Sequence, residues 1–196
     1  MTEVEQMLTA VLHCSRTELY VCPPALSLEQ QALLDEMQAR RAGGEPLQYI
    51  LGFCEFMGLR LKVDARVLIP RPETELLVER AVDILRRRSG PQRILDIGTG
   101  SGNIAIALAR FLDDAHVSAI DVSEAALHLA RENAQVHGVS SKIDFFQMDF
   151  FQMNSSDPFT QKFDAIIANP PYIRSGQIPL LPKDVQQEPR IVETRS

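Results

Sequence analysis

Cysteine is scarce, and its placement excludes more than it offers. Cys14, Cys22 and Cys54 are three in 196 residues, odd in number and without a Cys-x-x-Cys pair, so neither a disulfide framework nor a zinc site follows. The four histidines, His13, His116, His128 and His137, are scattered without ligand spacing, and no metal site is expected. Positive charge is also short: 20 Lys and Arg against 26 Asp and Glu give a formal net charge of -6. A surface that holds nucleic acid non-specifically needs a basic face, because phosphate neutralisation dominates such binding. The compact basic run Arg86-Arg87-Arg88 reads instead as a helix end, where cations meet the negative end of the dipole. No stretch approaches the ~20 apolar residues of a membrane span. The start, Met1-Thr2-Glu3-Val4-Glu5, lacks the basic flank and apolar run of a secretory signal, and its acids argue against a transit peptide. The expectation is a cytoplasmic protein with no membrane and no direct nucleic-acid partner.

What is present is ordinary globular material, 45% hydrophobic and 23% charged, enough for one full domain and a small accessory one. Residues 1–48 read as short helices. Val4, Met7, Leu8, Val11 and Leu12 fall at helical spacing between Glu3 and Leu12. Ser27 is an expected N-cap for a helix to Arg41, with Leu28, Ala32, Leu33 and Met37 on one side and Gly43-Gly44 as its end. From Tyr49 to Val63, the residues Phe53, Phe56, Leu59, Leu61 and Val63 suggest a hairpin turning near Gly58. A helix is predicted from about Glu73 to Arg88, with Pro72 suited to its first position and a stripe of Leu77, Ala81, Ile84 and Leu85. After Arg93 the pattern alternates. Strands are predicted at Ile94–Ile97, His116–Ile120, Ile143–Phe146 and Phe163–Ala168. Helices are predicted at Asn103–Phe111 and from Ser123 to a stop at Gly138. Such alternation implies an α/β, Rossmann-like fold, a parallel sheet covered by helices.

The first of those strands runs into Asp96-Ile97-Gly98-Thr99-Gly100-Ser101-Gly102, a glycine-rich turn that opens a helix. Glycine allows the sharp turn and the close approach of a ligand, and a helix N-terminus favours an anion. The third glycine of a dinucleotide fingerprint comes one residue early here, at Gly102, with Asn103 in its place, and no Lys-Ser/Thr pair marks a P-loop. Acids close three successive strands. Asp96 would suit an ammonium group, Asp121 a pair of ribose hydroxyls, and Asp149-Phe150 an adenine amine and ring. All lie on the carboxyl edge, where open α/β sheets bind ligands. An amino acid joined to adenosine fits this set, and that molecule is S-adenosyl-L-methionine. The expected cofactor contacts are Gly98, Thr99, Gly100, Ser101, Gly102, Asp121 and Phe150, although a core role for Phe150 stays open beside Phe145, Phe146 and Phe151.

The fourth strand ends in Asn169-Pro170-Pro171-Tyr172. Two prolines remove two N–H donors and leave carbonyls. Asn169 Oδ1 and the Pro170 carbonyl can then accept both hydrogens of a planar –NH₂ group, while Tyr172 lies against its flat face. An amide or aryl amine is a poor nucleophile. Catalysis at such a site would be positioning and electrostatics rather than strong base chemistry. Asn169, Pro170 and Tyr172 are the expected catalytic residues, the whole motif Asn169, Pro170, Pro171 and Tyr172 is the expected substrate site, and Asn169 would also touch the cofactor.

The glycine loop and the Asn-Pro-Pro-Tyr motif are shared among many amino-methyltransferases. More specific are Pro46-Leu47-Gln48-Tyr49-Ile50-Leu51-Gly52, Glu55-Phe56-Met57-Gly58-Leu59 and above all Leu68-Ile69-Pro70-Arg71-Pro72-Glu73-Thr74-Glu75. Together they resemble the release factor glutamine methyltransferase family, from near the N-terminus to about Arg190. The resemblance implies methyl transfer to the glutamine amide nitrogen in the Gly-Gly-Gln loop of a peptide chain release factor. It also implies a helical substrate-recognition domain at 1–48, a hairpin and linker at 49–75, and a Rossmann-like methyltransferase domain at 76–196. Members of that family continue through further strands, so the expectation is a truncated member whose fourth strand is an open edge. A monomer is expected. Two other readings remain: an adenine or guanine methyltransferase of nucleic acid, and an inactive remnant.

Overall fold

The computed structural model describes residues 1–21, 25–152, 162–170, 180 and 182–189. Its N-terminal part holds helices α1 (Glu3–Leu12), α2 (Arg16–Val21), α3 (Leu28–Ala42) and α4 (Leu47–Leu51). Capping boxes start α1 and α3: Thr2 with Glu5, and Ser27 with Gln30, each satisfying two backbone donors. Met7, Val11, Leu34, Met37, Leu47 and Ile50 form a small core. The buried side of α3 is therefore Leu34 and Met37, not the predicted Leu28, Ala32 and Leu33; Leu28 is 92% exposed. The reason is visible in the stripe itself. Its ends are Gln30, used in the cap, and Arg41, paired with Glu3, so hydrophobicity alone selects the wrong face.

The predicted hairpin begins later than Tyr49, because Tyr49–Leu51 are helical in α4. Strands β1 (Phe53–Phe56) and β2 (Leu59–Lys62) pair antiparallel around Met57-Gly58. Both turn residues have positive φ, 50° and 74°, the geometry that matches the strands' own twist. Tyr49 donates its hydroxyl proton to the Val67 carbonyl at 2.6 Å, tying α4 to the segment that leads into helix α5 (Pro72–Leu85).

Proline starts α5 as expected, but the helix stops at Leu85, short of Arg88. Its inward stripe is Thr74, Val78, Val82 and Leu85, while Leu77 and Ile84 are exposed. A polar residue opens the buried face, which is why apolar periodicity misplaces it.

The sheet is parallel, in the order β5-β4-β3-β6, with β3 at Gln92–Ile97, β4 at Ala115–Asp121, β5 at Ile143–Gln147 and β6 at Ala165–Ala168. Helix α6 (Asn103–Phe111) buries every residue from Ile104 to Ala109. Helix α7 (Glu124–Val136) is capped by Ser123, which accepts from the Ala126 N–H, and is followed by Gly138 at φ 67°. The chain winds β3, β4, β5 and then returns to the far side of β3. That reversal is a topological switch point between β3 and β6, whose carboxyl ends are where open α/β sheets bind ligands.

A final short helix, α8 (Lys183–Gln186), lies by the N-terminal part, with Asp184 3.5 Å from Arg41. Glu188 beyond it is buried and accepts from Arg71 at 2.6 Å and from the Ile69 N–H. Among the described residues no helix is long and apolar enough to cross a membrane.

Candidate functional site

Register decides which loops meet. Ile97 on β3 is paired with Ile120 on β4 and with Ala168 on β6. Gly98 and Asn169 therefore leave the sheet, beside Asp121, the last residue of β4, at one edge.

The glycine loop is held by its neighbours. Gly98 and Thr99 both donate to the Ile120 carbonyl, at 2.9 and 3.0 Å. Asp121 is buried; Oδ2 accepts from the Gly100 N–H at 2.9 Å and Oδ1 from the Ser123 N–H at 2.9 Å. The carboxylate read from the sequence as a ribose ligand thus also pins the loop, and each oxygen keeps a second lone pair. Asn133 on α7 is a residue that motif reading missed. Its amide accepts from the Lys62 N–H and donates to the Lys62 and Ser101 carbonyls, at 2.8, 3.0 and 2.9 Å. One buried side chain fastens the hairpin to the loop. Only its position on the buried face of a helix, among alanines and leucines, signals this in the sequence.

Asp96 turns inward rather than toward the loop's open side. It is fully buried, and Oδ2 accepts from the Thr99 hydroxyl at 2.6 Å and the Ala105 N–H at 3.2 Å. Its Oδ1 and the Ser101 hydroxyl are buried without a partner among the described residues. Burial pushes the Asp96 carboxyl up to about 7, although the Thr99 and Ala105 bonds favour its charged form. A carboxyl raised on folding carries stability that is complete below about 3.8 and lost as pH rises through about 7. Asp96→Asn stays neutral and keeps one acceptor oxygen. Its stability relative to wild type should rise across that window by at most about 1.4 kcal/mol per pH unit, measured by thermal melts at a series of pH values.

Above the loop there is room. A Cβ built on Gly98 meets nothing within 4 Å, and one on Gly100 meets only the Gly98 carbonyl at 4.0 Å. The loop opens α6 at Gly102, which has no side chain to cap the helix; of the first-turn N–H groups, that of Ala105 is taken by Asp96 Oδ2. The open space over Gly98 and Gly100 fits a cofactor lying on Gly98 to Gly102.

The other expected residues are placed as follows. Phe150 is 42% exposed and so is not a core residue; it meets Phe151 edge-on at 5.8 Å. Asp149 caps the short turn there, accepting from the Phe151 N–H and the Gln152 amide at 3.0 and 2.7 Å. Asn169 is half-buried and donates from Nδ2 to the hydroxyl of Thr74 at 2.7 Å, a partner 95 residues away. Pro170 is exposed at the strand end. Pro171 and Tyr172 lie outside the described residues.

Residues 89–190 match the family model described as a methyltransferase domain. The chain belongs to the methyltransferase-domain family. Residues 1–52 also match the model of the PrmC N-terminal domain. Among curated relatives, the release factor glutamine methyltransferase of Chlorobaculum tepidum is 42% identical over 95% of this chain and 66% of its own length. That of Geobacter sulfurreducens is 43% identical over 96% of this chain and 64% of its own length. The chain thus spans a little under two thirds of the relatives it matches. The resemblance carried by Leu68 to Glu75 agrees with these relatives. A solved S-adenosylmethionine-dependent methyltransferase from Agrobacterium tumefaciens superposes with a TM-score of 0.51 at 21% identity, over 60% of this chain and 39% of that one. At that identity it speaks for the methyltransferase fold alone.

Proposed function

We propose that this methyltransferase-family chain transfers a methyl group from S-adenosyl-L-methionine to the side-chain amide nitrogen of a glutamine in a peptide chain release factor. The observation that carries the reading is the pairing of Ile97 with Ala168, which sets the glycine loop beside Asn169 and Pro170. S-adenosylmethionine supplies a methyl group on a positively charged sulfur, which keeps the bonding pair when the methyl leaves. Gly98 to Gly102 would hold it, with Asp121 offering its free lone pairs to the ribose hydroxyls and Phe150 its exposed ring to the adenine.

At the acceptor, Asn169 Oδ1 and the Pro170 carbonyl take the two hydrogens of the glutamine –NH₂. These two bonds aim the nitrogen and favour the positive charge that grows on it. No base is required beyond solvent, which takes the proton that the nitrogen loses. The small helical core around Met7 and Leu34 would present the release factor.

The test is to incubate the chain with methyl-labelled cofactor and either a release factor or RNA and DNA. Label on the glutamine of the release factor is expected. Label in nucleic acid alone, or in neither, overturns the proposal, and calorimetry with the cofactor separates a binding remnant from a chain that binds nothing.

A further inference from the structure

A planar amide is useful as an acceptor only if its oxygen faces the substrate. Rotated by half a turn, Asn169 would present an –NH₂ group to another –NH₂ group, and the two donors would repel. The far end of the amide therefore sets the chemistry of the near end. In this molecule the far end is occupied: Nδ2 donates to Thr74 Oγ1 at 2.7 Å. Thr74 is itself well fixed. It is 4% exposed, sits in the first turn of α5, donates its N–H to the Arg71 carbonyl at 2.9 Å, and heads the stripe that continues through Val78 and Val82 into the core. Arg71 in turn is paired with the buried Glu188 at 2.6 Å.

We infer that Thr74 is a positioning residue that holds the Asn169 amide by its Nδ2 end, which leaves Oδ1 for the methyl acceptor. This rests on the proposed acceptor role of Asn169. Thr74 acts through Asn169 and makes the segment Arg71 to Glu75 a support for the reacting end of β6 as well as a connection between elements. Valine in its place matches the shape and leaves Nδ2 without its acceptor, so the amide loses this hold. Serine keeps the oxygen.

The test uses the full chain with Thr74→Val, Thr74→Ser and Thr74→Ala. Thr74→Val should lower kcat for the release factor at least tenfold, with KM and the cofactor Kd changed less than about twofold, and Thr74→Ser should restore most of kcat. A readout independent of turnover is the side-chain amide resonance of Asn169 in ¹⁵N-edited NMR. One Nδ2 proton should exchange slowly with water in wild type and Thr74→Ser, and quickly in Thr74→Val and Thr74→Ala. Full activity in Thr74→Val overturns the inference. So does a loss confined to cofactor affinity, or an Asn169 resonance that ignores all three variants. If wild type transfers no methyl to a release factor, the functional reading fails, while the NMR result still decides whether Thr74 holds the amide.

Discussion

Asn169→Ala is expected to lower methyl transfer by about 10²–10³-fold while the cofactor Kd moves far less. The argument is one of differential binding. The glutamine nitrogen shares its lone pair with its own carbonyl, so it becomes nucleophilic only as that conjugation is given up and positive charge builds on the nitrogen. An acceptor fixed on one of its hydrogens stabilises that charge more than it stabilises the neutral amide, so its loss falls on the chemical step. Two other effects compete. Truncation leaves the Thr74 hydroxyl, now bonded to Nδ2 at 2.7 Å, without its partner, which costs about 1–3 kcal/mol of folding stability. It also opens a small space at the end of β6. Both act on stability rather than on the barrier, and a melt recorded beside the kinetics separates them. Single-turnover transfer at saturating cofactor, with calorimetry for the cofactor, is the deciding measurement. Transfer within a few-fold of wild type would remove Asn169 from the mechanism.

Much of the framework was legible from local signals. Ser123 and Gly138 mark the ends of α7 because capping chemistry acts within one turn. The strands at 92–97, 115–121, 143–147 and 165–168 are short apolar runs between turn residues, and their alternation with helices forces parallel pairing. The glycine loop shows itself by composition. What stayed hidden is the polar wiring. Thr74 and Asn169 are 95 residues apart, and Lys62 and Asn133 are 71 apart; periodicity reports which face is apolar and nothing about which distant polar group will meet it. The misplaced faces of α3 and α5 have the same origin, since Gln30, Arg41 and Thr74 all lie on buried or half-buried stripes that a hydrophobic count skips. Asp96 was readable as an acid at a strand end, but the direction its side chain takes depends on the loop folding back over it through Thr99.

The three loop glycines should separate into two kinds under substitution, and Gly102→Ala should be the most damaging to stability. Gly102 has φ +83°, and a Cβ there would stand 3.0 Å from Ile106 Cδ1, 3.1 Å from Ala130 Cβ and 3.3 Å from Ala130 Cα. The Ile106 methyl can swing aside. Ala130 belongs to α7, whose hold on Lys62 and Ser101 through Asn133 resists a shift. A left-handed alanine costs about 1–2 kcal/mol and forced overpacking about 1–3 kcal/mol, so a loss of about 2–5 kcal/mol is expected from urea or thermal unfolding. Gly98 and Gly100 are also left-handed, at φ +71° and +54°, but their Cβ atoms would enter open space. Gly98→Ala and Gly100→Ala should therefore lose only the backbone term of about 1–2 kcal/mol. The added methyl would instead occupy the face on which the cofactor is proposed to lie, and cofactor affinity should fall by at least about tenfold, roughly the 1.4 kcal/mol of one lost close approach. Equal stability losses at all three positions, with cofactor affinity unchanged at 98 and 100, would mean that the open side of the loop is not where the ligand sits.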